Sequence, residues 1–140
     1  MNPSFKFLLC STLTLALAAS SAAVAAPLTK VQSDALTKSA ETCGTGPVGA
    51  ATIAACTAVI ESKHYGGAAL AAYYFDRGLN YAKSQRYPQS IADFDAAIKL
   101  KPDFANAYFV RGTVKQVMGD TAAGAADIAK AKEIDPYVGT

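Results

Sequence analysis

Histidine and cysteine, the residues that most often act as bases, nucleophiles or metal ligands, are scarce in this sequence. The one histidine, His64, stands beside Gly66-Gly67 in a predicted loop, and two of the three cysteines are Cys43 and Cys56. No nucleophile stands at a defined spacing from His64, and one histidine with two cysteines does not supply a zinc site. We therefore predict no catalytic residue, no metal site and no cofactor, and a chain that is not an enzyme.

The carboxylates and glycines do not form a reactive pattern either. Asp93 and Asp95 are two residues apart on a predicted helix, so they point to different faces and cannot act as a carboxylate pair. The glycine-containing turns lack the strand, helix and lysine of a phosphate-binding loop. The net charge is +2, from 13 Lys+Arg and 11 Asp+Glu, without a basic cluster, so we expect no nucleic-acid partner.

The N-terminal segment has the order of a secretory signal peptide. Lys6 is its only charge, an apolar stretch runs from residue 7 to 17, and Ala23-Val24-Ala25 forms a cleavage site. A membrane anchor would need about 18–20 apolar residues. A lipoprotein site at Cys10 is rejected because Leu9 precedes it. We predict cleavage after residue 25, a periplasmic or secreted protein, and no membrane span once the signal is removed.

Export gives the remaining cysteines a role. Cys43 and Cys56 enclose 12 residues that contain Gly44, Gly46 and Pro47, a turn that would fold two helices back on each other. An exported domain with two cysteines favours a disulfide bond. Two separate buried thiols and a bond to another chain are the alternatives.

Residues 71–104 and 105–138 match without a gap at an interval of 34 residues, which is typical of stacked helical hairpins. In the first unit we predict a helix from about Leu70 to Ser84 and a second from about Pro88 to Leu100. Gly78 would let the partner helix approach closely, and Asp103 would cap the next helix.

The matching residues resemble the tetratricopeptide repeat (TPR), a 34-residue helix–turn–helix. The residues that carry the resemblance are Tyr74, Gly78, Tyr81, Phe94, Ala97 and Pro102 in the first unit, and Tyr108, Gly112, Ala131 and Pro136 in the second. Lys115 and Gly124 depart from the pattern, so we expect a looser core in the second unit. Together with the signal peptide, the resemblance implies a small exported bacterial TPR protein.

A third, degenerate unit precedes these two. Ile53, Cys56, Val59 and Ile60 align with Ile91, Phe94, Ala97 and Ile98 at an offset of 38 residues. Residues 29–42 would form the first helix of this unit, which Cys43–Cys56 would tie to the second. We therefore predict an all-α, short right-handed stack of antiparallel helix hairpins. Its parts are a signal peptide (1–25), a degenerate N-terminal hairpin (26–70) and two TPR-like repeats (71–104 and 105–138).

The resemblance implies a concave groove lined by the first helix of each hairpin. Residues carried over as partner contacts are Phe75, Leu79, Lys83, Asn106, Phe109, Thr113 and Gln116. Phe75 and Phe109 either face an apolar peptide or helix or pack against the neighbouring hairpin. Asp76 and Val110 occupy equivalent places, and the basic clamp that captures acidic tails in some members is absent. Arg77 and Arg111 are interpreted as structural, lying over neighbouring side chains or pairing with Asp93 and Asp127.

Three functions follow in order of preference. The first is an exported adaptor or scaffold that binds an unidentified protein or peptide. The second is a self-associating structural module of the cell envelope, because only four residues follow Pro136 and no polar capping helix is present. A small-ligand binder or enzyme is the third, and it lacks a site constellation.

Overall fold

The computed structural model describes residues 27–140, which form six α-helices and no strand. The helices are α1 (Lys30–Thr45), α2 (Ala50–Glu61), α3 (Gly67–Lys83), α4 (Tyr87–Leu100), α5 (Ala105–Val117) and α6 (Thr121–Ile134). The predicted signal peptide, residues 1–25, lies outside the described residues. The helix α3 begins three residues before its predicted start, because Ala68 and Ala69 are strong helix formers.

Consecutive helices pair into three hairpins that stack in chain order. Each helix from α1 to α5 contacts the helix that follows it. In addition, α3 contacts both α1 and α5. The helices α2, α4 and α6, all within residues 27–140, do not contact one another. The stack therefore bends with α1, α3 and α5 on the inside, and the predicted all-α, TPR-like stack of hairpins is confirmed.

The helix starts agree with local sequence signals in most hairpins. Thr29 and Gln32 form a capping box at α1, and Pro88 lies in the first turn of α4. The prediction that Asp103 caps α5 is wrong. The N-cap is Phe104, without a side-chain hydrogen bond, because a tight turn places the Asp103 carbonyl oxygen 3.0 Å from the Ala105 amide instead.

Glycines allow the two helices of each repeat hairpin to approach closely. A Cβ on Gly78 would lie 2.8 Å from Cε1 of Phe94, which confirms the packing role predicted for this glycine. In the last hairpin a Cβ on Gly112 would lie 2.6 Å from the carbonyl oxygen of Gly124. The expectation of a looser second unit is wrong, because the missing side chain at Gly124 is compensated by direct approach of the two backbones.

Arg77 and Arg111 each join three helices. Arg77 donates Nε and Nη2 to Asp93 of its own hairpin, at 2.8 and 2.7 Å, and Nη1 to Thr57 of the preceding hairpin at 3.0 Å. Arg111 binds Asp127 in the same way and reaches back to Asp95. These contacts confirm the structural interpretation of both arginines.

The hydrogen bonds of these two arginines support the alignment of the degenerate N-terminal unit with the repeats. At the offset of 38 residues Thr57 corresponds to Asp95, and the two accept hydrogen bonds from the equivalent nitrogens of Arg77 and Arg111. Burial agrees as well, since Cys56 and Val59 are fully buried like their counterparts Phe94 and Ala97. The N-terminal hairpin therefore occupies the place of a third unit.

A disulfide joins Cys43 of α1 to Cys56 of α2, with their Cα atoms 4.7 Å apart. This confirms the predicted pairing. Both cysteines are buried, and the Thr52 hydroxyl donates to the carbonyl of Pro47 in the turn between the helices. A hairpin whose facing residues are small is thus held together by a covalent bond.

We expect reduction of Cys43–Cys56 to lower the free energy of unfolding of residues 27–140 by about 3 kcal/mol, because the bond removes loop-closure entropy from the unfolded chain. Urea unfolding with and without a phosphine reductant measures this change. The double substitution Cys43→Ser and Cys56→Ser is the control, and reductant should not affect it. Equal stability of oxidised and reduced wild type would contradict the assigned role.

We expect Gly78→Ala to lower the free energy of unfolding by about 1–3 kcal/mol, since the new methyl group would collide with Phe94. The matched control is Gly44→Ala in α1, where the nearest atom to the new Cβ is 3.9 Å away. There, helix propensity should raise stability by up to about 1 kcal/mol. Thermal and urea unfolding should give opposite signs for the two variants, and equal effects would refute the close-approach role.

Candidate functional site

The candidate site is the surface formed by α1, α3 and α5, which we call the inner surface. Its helices contact one another, so side chains from all three hairpins lie side by side on it. The residues predicted to bind a partner lie on α3 and α5, and burial separates them into two groups. Lys83, Asn106, Thr113 and Gln116 are exposed, whereas Phe75, Leu79 and Phe109 are partly buried.

Phe75 packs between two hairpins. Its ring centroid lies 5.7 Å from that of Phe94 in α4 and 4.9 Å from that of Phe104, just before α5. The ring joins the core formed around Ala71 and Ala97. Of the two roles considered for Phe75, packing against the neighbouring hairpin is therefore observed, and only its remaining exposed part is available to a partner.

Phe109 is covered by the residues that follow α6. A Cβ on Gly139 would collide with Cζ of Phe109, so the backbone at Gly139 rests on the ring. Val138 is buried in the same cluster, together with Ala105 and Ala131. Val138 stands one repeat length after Phe104, and the two side chains fill equivalent places beneath their respective phenylalanines.

Gln116 is exposed but extends toward α6. Its Cγ would lie 2.6 Å from a Cβ placed on Gly124, so its aliphatic stem packs against that helix. The Thr113 hydroxyl donates to the carbonyl oxygen of Phe109 at 3.0 Å and remains exposed, as does Asn106 one turn before Phe109. Among the predicted contacts, Lys83, Asn106 and Thr113 have exposed side chains, whereas the stem of Gln116 is packed against α6.

Sequence reasoning missed a second group of residues nearer the N-terminus. The rings of Tyr65 and Tyr73 meet edge to face with centroids 4.9 Å apart. Asp76 follows one turn after Tyr73, and its Oδ2 lies 3.9 Å from a Cβ placed on Gly44 of α1. The signal was Tyr73 and Asp76, which stand where the next unit has Ala107 and Val110 and which the repeat pattern does not require.

Electrostatics distinguish Asp76 from the other buried carboxylates. Burial raises the pKa of Asp76. Burial would also raise the pKa of Asp127, but hydrogen bonds from Arg111 and Lys115 outweigh it and hold that pKa below its ordinary value. The pKa of Tyr73 is raised by burial first, then by the neighbouring Tyr65 and by the charge of Asp76. Asp76 is thus a half-buried negative charge in an aromatic setting.

The residues with catalytic or metal-binding chemistry do not meet in this part of the chain. His64 is exposed in the α2–α3 connection, and its ring lies edge-on to Tyr65 at 5.2 Å. Within residues 27–140, no group of three or more His, Cys, Asp or Glu side chains is placed to hold a metal ion. Asp93 and Asp95 bind different arginines, as their opposite orientations require.

The described helices also show no membrane span. None of the six is both long enough and apolar enough to cross a bilayer.

Comparison with known proteins adds two findings. Residues 78–119 match the family described as TPR repeat. The chain is also 35% identical over 63 residues, 45% of its length, to an "Hsp70-Hsp90 organizing protein" of Triticum aestivum, and it spans 11% of the length of that relative. The central residues of the chain are therefore similar to TPR repeats, and its helices form a TPR-like hairpin stack.

Proposed function

We propose that this chain is an exported protein–protein interaction module, a TPR adaptor or scaffold that binds a peptide or helix of its partner on the inner surface. The observation that carries the proposal is the set of exposed side chains on successive hairpins, Lys83 on α3 and Asn106 and Thr113 on α5. TPR repeats are typically protein-binding and non-enzymatic, which supports the assignment.

Export is supported by two features of the chain. The signal-like segment of residues 1–25 would direct the protein out of the cytoplasm. The disulfide Cys43–Cys56 would persist in an oxidising compartment such as the periplasm or the extracellular space. We therefore place the proposed interaction in the periplasm or outside the cell.

The inner surface offers a partner both polar and apolar contacts. Asn106 and Thr113 provide hydrogen-bonding groups, and the exposed parts of Phe75, Leu79 and Phe109 provide apolar area between them. An amphipathic helix or an extended peptide could use both kinds of contact. Phe75 and Phe109 also hold hairpins together, so substitution of either would disturb the fold as well as the surface.

Site-specific photocrosslinking tests this proposal without removing a core residue. A photoreactive amino acid at Asn106 or Thr113 is expected to give a discrete adduct in cells of the source organism, because both positions are exposed on the inner surface. The matched control is Ala129, an exposed position on the outer helix α6. Equal adducts from Ala129, or none from either inner position, would contradict partner binding at this surface.

Self-association is the second candidate, and exposed apolar residues at the last hairpin turn favour it. Val117 is 62% exposed and the adjacent Met118 is 49% exposed. Two neighbouring apolar side chains at the end of a stack could meet the same residues of a second copy.

For this candidate we expect a concentration-dependent dimer in sedimentation velocity, abolished by the double substitution Val117→Glu and Met118→Glu. The control is Lys99→Glu on α4, an exposed position away from that turn. A monomer at all concentrations would rule out self-association through the last hairpin.

A further inference from the structure

A cavity of about 580 Å³ lies at the N-terminal end of the stack. Its walls come from the start of α1 and from the connection between α2 and α3. The lining residues that matter here are Leu28, Leu36, Thr37, His64 and Tyr65. The volume falls in the range of ligand pockets, and two leucines and an aromatic ring make part of its wall apolar.

Tyr65 joins the wall of the cavity to α3, the helix that carries Asp76. Tyr65 lines the cavity, and its ring contacts Tyr73 of α3 at 4.9 Å between centroids. Asp76 comes one helical turn later and faces Gly44 at the end of α1. We call this set, the cavity with Tyr65, Tyr73, Asp76 and Gly44, the N-terminal groove.

Among the residues that the structure describes, the partly buried Asp76 lacks the cationic partner that the buried Asp93 and Asp127 have. Asp93 and Asp127 each receive two hydrogen bonds from one guanidinium group. Within residues 27–140, no lysine or arginine nitrogen lies within 4 Å of the Asp76 carboxylate, and its side chain accepts no hydrogen bond. Burial raises the pKa of this carboxyl, as expected for a charge without a nearby cation.

The repeat architecture does not explain Asp76. The equivalent residue of the next unit is Val110, so the hairpin packs without a carboxylate at this place. A half-buried carboxylate that pairs with no side chain in the described part of its chain is costly, and such groups concentrate at binding sites.

We propose that the N-terminal groove binds an extended segment of the partner that carries a lysine or arginine, with the cation paired to Asp76. The proposal rests on the proposed function and specifies the chemistry of the partner. Charge complementarity selects the occupant, because a cation is the group that a half-desolvated carboxylate lacks. The Tyr73 ring beside the carboxylate adds a face against which a cation is attracted.

The cavity supplies the second element of recognition. An apolar side chain of the same segment would enter the space lined by Leu28, Leu36 and Tyr65. A peptide that pairs an apolar residue with a basic one would thus contact both ends of the groove. An acidic residue at the same place would meet the charge of Asp76 and be rejected.

Pools of synthetic pentapeptides test the proposal on residues 26–140 with the disulfide intact. Each fluorescent pool is randomised except for its central residue, which is lysine, arginine, norleucine or glutamate. Norleucine keeps the lysine stem without its charge. Anisotropy is expected to show binding of the lysine and arginine pools about tenfold tighter than the norleucine pool, since a charge-assisted hydrogen bond contributes at least that factor.

The variant Asp76→Asn should remove this preference while the norleucine pool binds as before. The matched control is Asp103→Asn, an exposed aspartate in the α4–α5 turn, which should keep the preference. Asp76→Asn is expected to fold with an unchanged or higher melting temperature, because the lost carboxylate holds no side-chain partner within residues 27–140. Amide shifts of Gly44 and Tyr73 on titration with the lysine pool should locate the peptide in the groove.

The outcomes separate this inference from the proposed function. Equal binding of the lysine and norleucine pools overturns the inference and leaves the photocrosslinking result standing. A lysine preference that persists in Asp76→Asn overturns the role of Asp76. Failure of all pools to bind overturns the groove as a peptide site. Displacement of the lysine pool by unlabelled protein, together with dimers in sedimentation, would make a second copy the occupant and overturn a separate peptide partner.

Discussion

The paired arginine contacts fix the geometry on which the rest of this stack depends. Each guanidinium group donates two hydrogen bonds to an aspartate of its own hairpin and one to a residue of the preceding hairpin. A planar fork with fixed donor directions sets both distance and rotation, which a lysine could not do. Arg77 and Arg111 thereby fix the same distance and rotation between neighbouring hairpins at two successive junctions. The inner surface is continuous because this relation repeats.

Much of the architecture could be predicted from sequence, and the reasons are local. The 34-residue period, the small residue at Gly78 and the spacing of Arg77 from Asp93 express contacts that both repeats make. The errors arose where two elements adjust to each other. Gly124 appeared to loosen the last hairpin, but the backbones closed on each other. Asp103 appeared to be a cap, but the turn before α5 placed Phe104 there.

The candidate site was harder to predict because carrying over family positions does not reveal burial. Phe75 and Phe109 stand at contact positions, yet one is covered by Phe104 and the other by Gly139. Tyr65 lies in a connection outside the repeat, so no repeat position points to it. In the sequence, Asp76 indicated only that the basic clamp of some TPR proteins is absent. That no cation of residues 27–140 pairs with this carboxylate could be seen only once the surrounding side chains were placed.

The disulfide also bears on recognition, since Cys43 adjoins Gly44, the residue of α1 that faces Asp76. The bond holds this wall of the groove to α2. Ordering of α1 therefore costs its conformational entropy once, during folding, and that loss is not repeated when a peptide arrives. A rigid wall on one side leaves only the peptide to be ordered on binding. The N-terminal hairpin, which matches the repeat pattern least, thus provides a preorganised side of the groove.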